Sequence, residues 1–94
     1  PRYGRVQLLD LPEERLEIIE MEVGEGAPAA GRRVSEVDLP DGSLIISVLR
    51  DRGGFVPKAD TVIQPGDEVL LVLDPGLEAA ITDQFAADGD RSRG

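Results

Sequence analysis

The chain has no cysteine, no histidine and no tryptophan among its 94 residues. Without cysteine it can form neither disulfides nor thiolate metal sites, and no metal site is predicted. Without histidine it lacks the commonest proton-transfer side chain, so its four serines have no imidazole to activate them. These absences predict that the chain is not an enzyme.

Aromatic residues and positive charge are also scarce. Only Tyr3, Phe55 and Phe85 are aromatic, so the chain has few rings on which nucleobases could stack. Nineteen acidic residues against ten basic ones give a net charge of -9, which repels a phosphate backbone. We therefore predict that the chain binds neither DNA nor RNA.

Long apolar runs are missing as well. No run approaches the roughly 20 residues that a membrane-spanning helix needs, and no signal-peptide pattern opens the chain. We expect a soluble, cytoplasmic protein without direct membrane insertion. Because the chain starts at Pro1 and soon becomes apolar, we interpret residues 1–15 as a linker, or a short strand around residues 6–9, from a missing upstream domain.

Acidic residues are concentrated near the beginning of the chain, with seven acids and one arginine between residues 10 and 25. This run is typical of a solvated strand face followed by a loop. A divalent-cation site formed by Glu20, Glu22 or Glu25 is the alternative interpretation.

Several apolar segments have the patterns of strands. Residues 16–23 alternate between apolar and acidic side chains, as expected of a half-buried strand. Residues 44–49 are apolar on both faces, which predicts a central strand that is covered on two sides. A turn at residues 51–54 should form a hairpin, with Pro57 at a strand end or edge, and residues 68–73 predict a last strand.

Two segments are predicted to be helical. Residues 32–39 form a short helix of about two turns that ends at Pro40. A second helix starts with Asp74 as its cap and Pro75 at its first position. Its apolar stripe is either core or dimer surface, and it consists of Leu77, Ala80, Ile81 and Phe85.

Together these elements predict an α+β, two-layer domain with a small, mostly antiparallel sheet and two helices over residues 16–87. Residues 88–94 are polar and are predicted to be a disordered tail. Asp67 and Glu68 are interpreted as exposed turn residues. Asp60-Thr61 is interpreted either as a turn held by side-chain hydrogen bonds or as part of a ligand site.

The order of short motifs over residues 16–83 points to one known family. The motifs are Gly31-Arg32-Arg33-Val34, Glu36, Leu39-Pro40, residues 42–46, Arg50, Pro57, Asp60-Thr61 and Pro65-Gly66-Asp67. In this order the chain resembles the TrkA C-terminal (RCK C-terminal) domain family of potassium-transport regulators.

The resemblance implies a cytoplasmic homodimer that regulates a potassium-uptake or cation/proton-antiport system through a membrane transporter or channel subunit. In several relatives the ligand is cyclic di-AMP, held at the two-fold axis. The resemblance places the corresponding positions of this chain at Val34, Ser35, Leu44, Ile45 and Ile46. The ligand-binding relatives carry a basic residue and an amide where this chain has Pro40 and Leu44.

Two interpretations of the paired arginines follow. Arg32 and Arg33 either bind ligand phosphates with help from the helix dipole, or are solvated charges that offset an acidic surface. The domain is accordingly either a ligand sensor that dimerises or a purely structural dimerisation module without a small-molecule ligand.

Overall fold

A computed structural model describes residues 4–10 and 15–87, with side chains described from residue 16 to residue 87. Five strands form one sheet in the order β1-β2-β5-β3-β4, and every neighbouring pair is antiparallel. The predicted α+β class with a small antiparallel sheet is confirmed. The elements are β1 (Gly4–Asp10), β2 (Arg15–Glu22), a 3-10 helix (Val34–Glu36), β3 (Ser43–Arg50), β4 (Gly53–Phe55), β5 (Glu68–Leu73) and α1 (Glu78–Phe85).

The core lies on one face of this sheet, where alternate residues of β2 and β5 point inward. Ile19 pairs with Leu71, and Met21 pairs with Val69, and all four side chains are buried. The period-2 pattern of β2 therefore predicted both the strand and its buried face. Of the two interpretations of the first residues, a linker or a short strand around residues 6–9, the structure has the strand, because β1 pairs with β2.

The helix α1 covers the core face of the sheet. Ile81 and Phe85 are fully buried, and Leu77 packs against the same cluster, so the apolar stripe belongs mainly to the core. The predicted cap was wrong. Leu77 precedes the helix without a side-chain cap, because the chain first turns at Gly76, which has a φ of 93°.

Strand β3 differs from its prediction on one face. Ile45 and Val48 are buried, whereas Leu44 and Leu49 are exposed on the opposite face. Among the described residues this outer face has no covering layer, so the predicted burial on two sides was wrong. The strand at the centre of the sheet is β5.

The β3–β4 hairpin forms where the sequence predicted it. Arg50 pairs with Gly53 across the turn, and Asp51 adopts the left-handed conformation with a φ of 57°. Pro57 lies just after β4, which is an edge strand of the sheet in the described part of the chain. The predicted tail at residues 88–94 lies outside the described residues.

Candidate functional site

The segment that carries the predicted ligand residues is mostly extended rather than helical. Within residues 32–39 only Val34–Glu36 forms a 3-10 turn, and Val37 returns to an extended backbone conformation. The two-turn helix was therefore wrong. The reason is a non-local pairing, because residues 31–35 form antiparallel backbone hydrogen bonds with residues 59–63.

We call these two paired segments, residues 31–35 and 59–63, the ribbon. Four backbone hydrogen bonds join its two sides. They are Gly31 N to Ile63 O (2.7 Å), Ile63 N to Arg32 O (2.8 Å), Val34 N to Thr61 O (2.8 Å) and Ser35 N to Ala59 O (3.0 Å).

The two arginines of the ribbon are exposed and only loosely held. Arg32 donates from Nε to the carbonyl of Pro28 at 3.1 Å. Arg33 lies 3.8 Å from the carboxylate of Glu36, which also accepts a hydrogen bond from the Arg33 amide at 3.1 Å. Exposed pairs of this kind contribute little energy, so both guanidinium groups can turn toward a ligand.

The dipole of the predicted helix, which was expected to help Arg32 and Arg33 attract ligand phosphates, contributes little in this structure. A single 3-10 turn aligns too few peptide dipoles to attract an anion strongly. Val34 packs against the core, and Ser35 is exposed beside it. Any phosphate binding at the ribbon therefore depends on the charges of Arg32 and Arg33.

Thr61 shows that the Asp60-Thr61 segment is a turn with a side-chain hydrogen bond. The Lys58 amide donates to Thr61 Oγ1 at 2.8 Å, and the Thr61 amide donates to the Lys58 carbonyl at 3.1 Å. These bonds give the segment a structural role within the ribbon.

The remaining predicted ligand residues lie at the start of β3. We call residues 40–46 the Leu44 corner. Ser43 Oγ donates to the Pro40 carbonyl at 2.7 Å, and the Asp74 amide donates to the Gly42 carbonyl at 2.9 Å. Leu44 has 60% of its surface exposed, whereas Ile45 is buried in the core.

Ile46 lies at the point where the β3–β5 register shifts, between Ile45 and Ser47, and it is half-buried. The Ile45 side chain, being buried, positions its neighbours instead of presenting a surface. Leu44 and Ile46 are therefore the predicted corner residues whose side chains remain accessible.

The Leu44 corner is acidic. Asp38, Asp41 and Asp74 are exposed around it, and a Cβ at Gly42 would lie 2.5 Å from Asp74 Oδ2, which shows how near that carboxylate is. No lysine or arginine occurs between residues 34 and 49. The corner combines an exposed apolar side chain with negative charge.

The ribbon and the Leu44 corner lie at opposite ends of β3 in one protomer. The ribbon is next to Arg50, because Arg50 Nη2 donates to the Val62 carbonyl at 2.9 Å. Leu44 lies six residues earlier in the same strand, about 20 Å away along its axis. The structure therefore does not bring all predicted ligand residues together within one copy.

A partly buried ion pair lies beside the ribbon. Arg50 donates from Nε and Nη2 to the two carboxylate oxygens of Asp67, at 2.9 and 2.7 Å. The Gln64 amide donates to the same carboxylate at 2.9 Å. The Asp67 side chain is only 2% exposed, so its interpretation as a solvated turn residue was wrong.

The strand pattern contained a signal for this pair that the sequence analysis missed. Asp67 continues the inward-facing positions of Val69 and Leu71, and Arg50 continues that of Val48. The hydrogen bonds that Arg50 donates to Asp67 raise the pKa of Arg50, and nearby negative charge adds to the effect. The stability that comes from the charged guanidinium group is present below this raised pKa and is lost only in strongly alkaline solution, so Arg50 is no switch near neutral pH.

The described residues contain no cluster of three or more acidic side chains placed to hold a metal ion. The cation site considered for Glu20, Glu22 and Glu25 therefore has no support within this part of the chain. In the same part, no helix combines the length and apolar character required to cross a bilayer.

Comparison with known proteins identifies the family. The model of the TrkA-C domain matches residues 18–86. The chain belongs to the TrkA-C domain family. It is a family of regulatory domains and not of catalytic ones, so the predicted family and the prediction that the chain is not an enzyme are both confirmed.

Named relatives agree with the family. A Trk system potassium uptake protein TrkA homolog of Pyrococcus abyssi is 40% identical over 72 residues. Its homolog in Archaeoglobus fulgidus is 32% identical over 69 residues. These matches cover 76% and 73% of the chain, but the chain spans only 30% and 16% of the two relatives.

Solved structures show the same fold. The RCK_C domain dimer of S. agalactiae BusR in complex with c-di-AMP is 23% identical, with a TM-score of 0.61, over 70% of this chain and 91% of that one. A structure of BusR with its busAB-promotor DNA is 22% identical, with a TM-score of 0.62, over 80% of this chain and 36% of that one. At this identity the likeness concerns the fold alone.

Proposed function

We propose that the chain is a regulatory domain that dimerises, senses a ligand and controls a potassium-uptake or cation/proton-antiport system. The observation that carries this proposal is the family match over residues 18–86, with relatives named as Trk system potassium uptake proteins. Its partner is a membrane cation transporter or channel subunit. The domain acts in the cytoplasm, at the inner face of the membrane, through that partner.

In this proposal residues 16–87 are the regulatory unit, and β1 (Gly4–Asp10) adds a strand to its sheet. The unit pairs with a second copy through a symmetric interface. An exposed apolar side chain at the Leu44 corner supports a contact there, and a protein of this fold forms an RCK_C dimer.

Cyclic di-AMP is the proposed ligand, because a protein of the same fold is a dimer in complex with c-di-AMP. Arg32 and Arg33 supply positive charge for phosphates, and Ser35 lies exposed beside them. Leu44 and Ile46 supply apolar contacts for the bases, with Val34 and Ile45 holding the two sites in place. Binding regulates the partner only if the ligand favours one arrangement of the dimer over another.

A purely structural dimerisation module is the second candidate, and one observation favours it. Asp38, Asp41 and Asp74 surround the Leu44 corner without a compensating base in residues 34–49. Negative charge at this density opposes an anionic dinucleotide. In this alternative the corner contacts the second copy, and sensing belongs to another part of the full-length protein.

A DNA complex of BusR, a protein with this fold, weakens the prediction that the chain takes no part in nucleic-acid binding. BusR binds its promotor as a larger protein, of which this chain matches 36%. A net charge of -9 opposes direct contact between this domain and DNA. We propose that the domain itself does not bind DNA, even if a longer protein that contains it does.

Calorimetric titration with cyclic di-AMP separates the two candidates. The ligand-sensor proposal predicts saturable heat for the wild-type domain and loss of most of the affinity in the double variant Arg32→Ala, Arg33→Ala. Arg52→Ala, which removes an exposed charge from the β3–β4 turn, is the matched control and should bind like the wild type. Absence of heat at high protein concentration would leave the structural module.

Light scattering on the same samples tests dimerisation, which both candidate functions require. Each predicts a dimer at micromolar to millimolar protein concentrations. A monomer throughout that range would contradict both.

A further inference from the structure

The ribbon is attached to the rest of the domain by apolar packing and by a polar contact. Ile63 is fully buried in the core, and Val34 of the other segment packs against the same core. The second attachment is polar and comes from Arg50, whose Nη2 donates to the Val62 carbonyl at 2.9 Å. Arg50 thus connects the end of β3 directly to the backbone of the ribbon.

Asp67 fixes the direction in which Arg50 points. Its carboxylate accepts two hydrogen bonds from the guanidinium group and a third from the Gln64 amide, immediately after the ribbon. The Phe55 ring of β4 lies 5.2 Å from the guanidinium carbon and restricts it from another side. A bidentate contact of this kind fixes the plane of the group as well as its position.

Neither residue of the pair is available for a ligand. Asp67 is buried, and the positive charge of Arg50 is engaged by that carboxylate, with 28% of the side chain exposed. Arg32 and Arg33, by contrast, are exposed but stand on a backbone that Arg50 holds through Val62. Arg32 and Arg33 therefore offer the positive charge, whereas Arg50 and Asp67 restrict the backbone that carries them.

We propose that Arg50 and Asp67 are a positioning pair, which holds the ribbon in place against the sheet and so orients Arg32 and Arg33 without contacting the ligand. The structural part of this inference stands alone. Its consequence for affinity rests on the function proposed above. Without Arg50, Ile63 and Val34 keep the ribbon attached to the core, but the hydrogen bonds between its two segments open more often.

Amide hydrogen exchange tests the structural part in the free domain. Ribbon amides are those of Gly31, Val34, Ser35 and Ile63, and reference amides are those of Val69 and Leu71 in β5. Arg50→Lys keeps the charge but loses the bidentate geometry. We expect its ribbon amides to accelerate about ten-fold more than its β5 amides, since local opening and global unfolding are separate processes.

Arg52→Lys, two residues away in the same hairpin, is the control and should change neither set. Equal acceleration of ribbon and β5 amides in Arg50→Lys would show a general loss of stability and would overturn the proposal. No acceleration of the ribbon would overturn it too. Asp67→Asn should reproduce the Arg50→Lys pattern, because it removes the charge that directs Arg50.

Titration with cyclic di-AMP tests the consequence for affinity. If the wild type binds, Arg50→Lys should bind about ten-fold more weakly with Arg32 and Arg33 intact, and Arg52→Lys should bind normally. Unchanged affinity in Arg50→Lys would overturn the link to the ligand. If the wild type does not bind, the ligand-sensing function fails, while the exchange experiment still decides whether the pair positions the ribbon.

Discussion

The ribbon and the Leu44 corner lie at opposite ends of β3 and differ in charge, burial and bonding. The ribbon carries exposed arginines on a backbone that is fixed by hydrogen bonds and by the Arg50–Asp67 pair. The corner carries an exposed leucine among aspartates. In the proposed function, phosphate recognition belongs to the first region and apolar contact to the second.

This separation links ligand binding to dimerisation. A ligand that contacts both regions of one copy would have to span much of β3, because Leu44 and the Arg50 side chain that contacts the ribbon are six positions apart in that strand. A second copy can instead bring its own ribbon or corner next to the first. If cyclic di-AMP binds at all, we therefore expect binding and dimer formation to be measurable as one coupled equilibrium.

The largest expected effect concerns stability at the ribbon end. Arg50→Ala leaves the Asp67 carboxylate buried without its positive partner, which should lower the free energy of unfolding by about 3–5 kcal/mol. Leu44→Ala at the other end should lower it by less than about 1 kcal/mol, because the leucine is largely exposed. Urea unfolding at low protein concentration measures both.

Arg33→Ala is the matched control for Arg50→Ala. Its ion pair with Glu36 is exposed on both sides, so its loss should cost less than about 1 kcal/mol. If Arg50→Ala and Arg33→Ala destabilise the domain equally, the contrast between the Arg50–Asp67 pair and the exposed Arg33–Glu36 pair is wrong.

The second effect concerns association at the Leu44 corner. Leu44→Glu adds another carboxylate to an acidic apolar surface and should weaken a dimer formed there by at least about ten-fold. Val56→Glu, at the β4 end, is the control, since Val56 is 76% exposed and equally apolar. Sedimentation equilibrium gives both constants. A dimer that survives Leu44→Glu and dissociates with Val56→Glu would place the interface at β4 instead.

The sequence predicted those parts of the fold that depend on local pattern. The alternation in β2, the turn at Asp51 and the apolar run of β5 each follow from neighbouring residues, and each has the predicted structure. The TrkA-C resemblance also came from the order of short motifs, and the family match confirms it.

The errors arose where distant segments meet. Residues 32–39 have helical spacing at Val34 and Val37, but the pairing of residues 31–35 with residues 59–63 favours an extended backbone that local propensity cannot indicate. Asp67 follows Pro65-Gly66, a sequence that is typical of a turn. Only its ion pair with Arg50, 17 residues away, explains why it is buried. The exposed side of β3 was missed because an apolar run does not reveal which face remains uncovered.

The smallest expected effect is a difference in salt dependence between the two regions. Salt screens attraction between the ribbon arginines and phosphate, so raising it from about 0.05 to 0.5 M should weaken cyclic di-AMP binding several-fold. The same salt screens repulsion between the aspartates of two Leu44 corners, so it should strengthen a dimer formed there. Calorimetry and sedimentation across one salt series measure the two trends. Parallel trends would mean that a single surface serves both purposes, and the division between ribbon and corner would then be wrong.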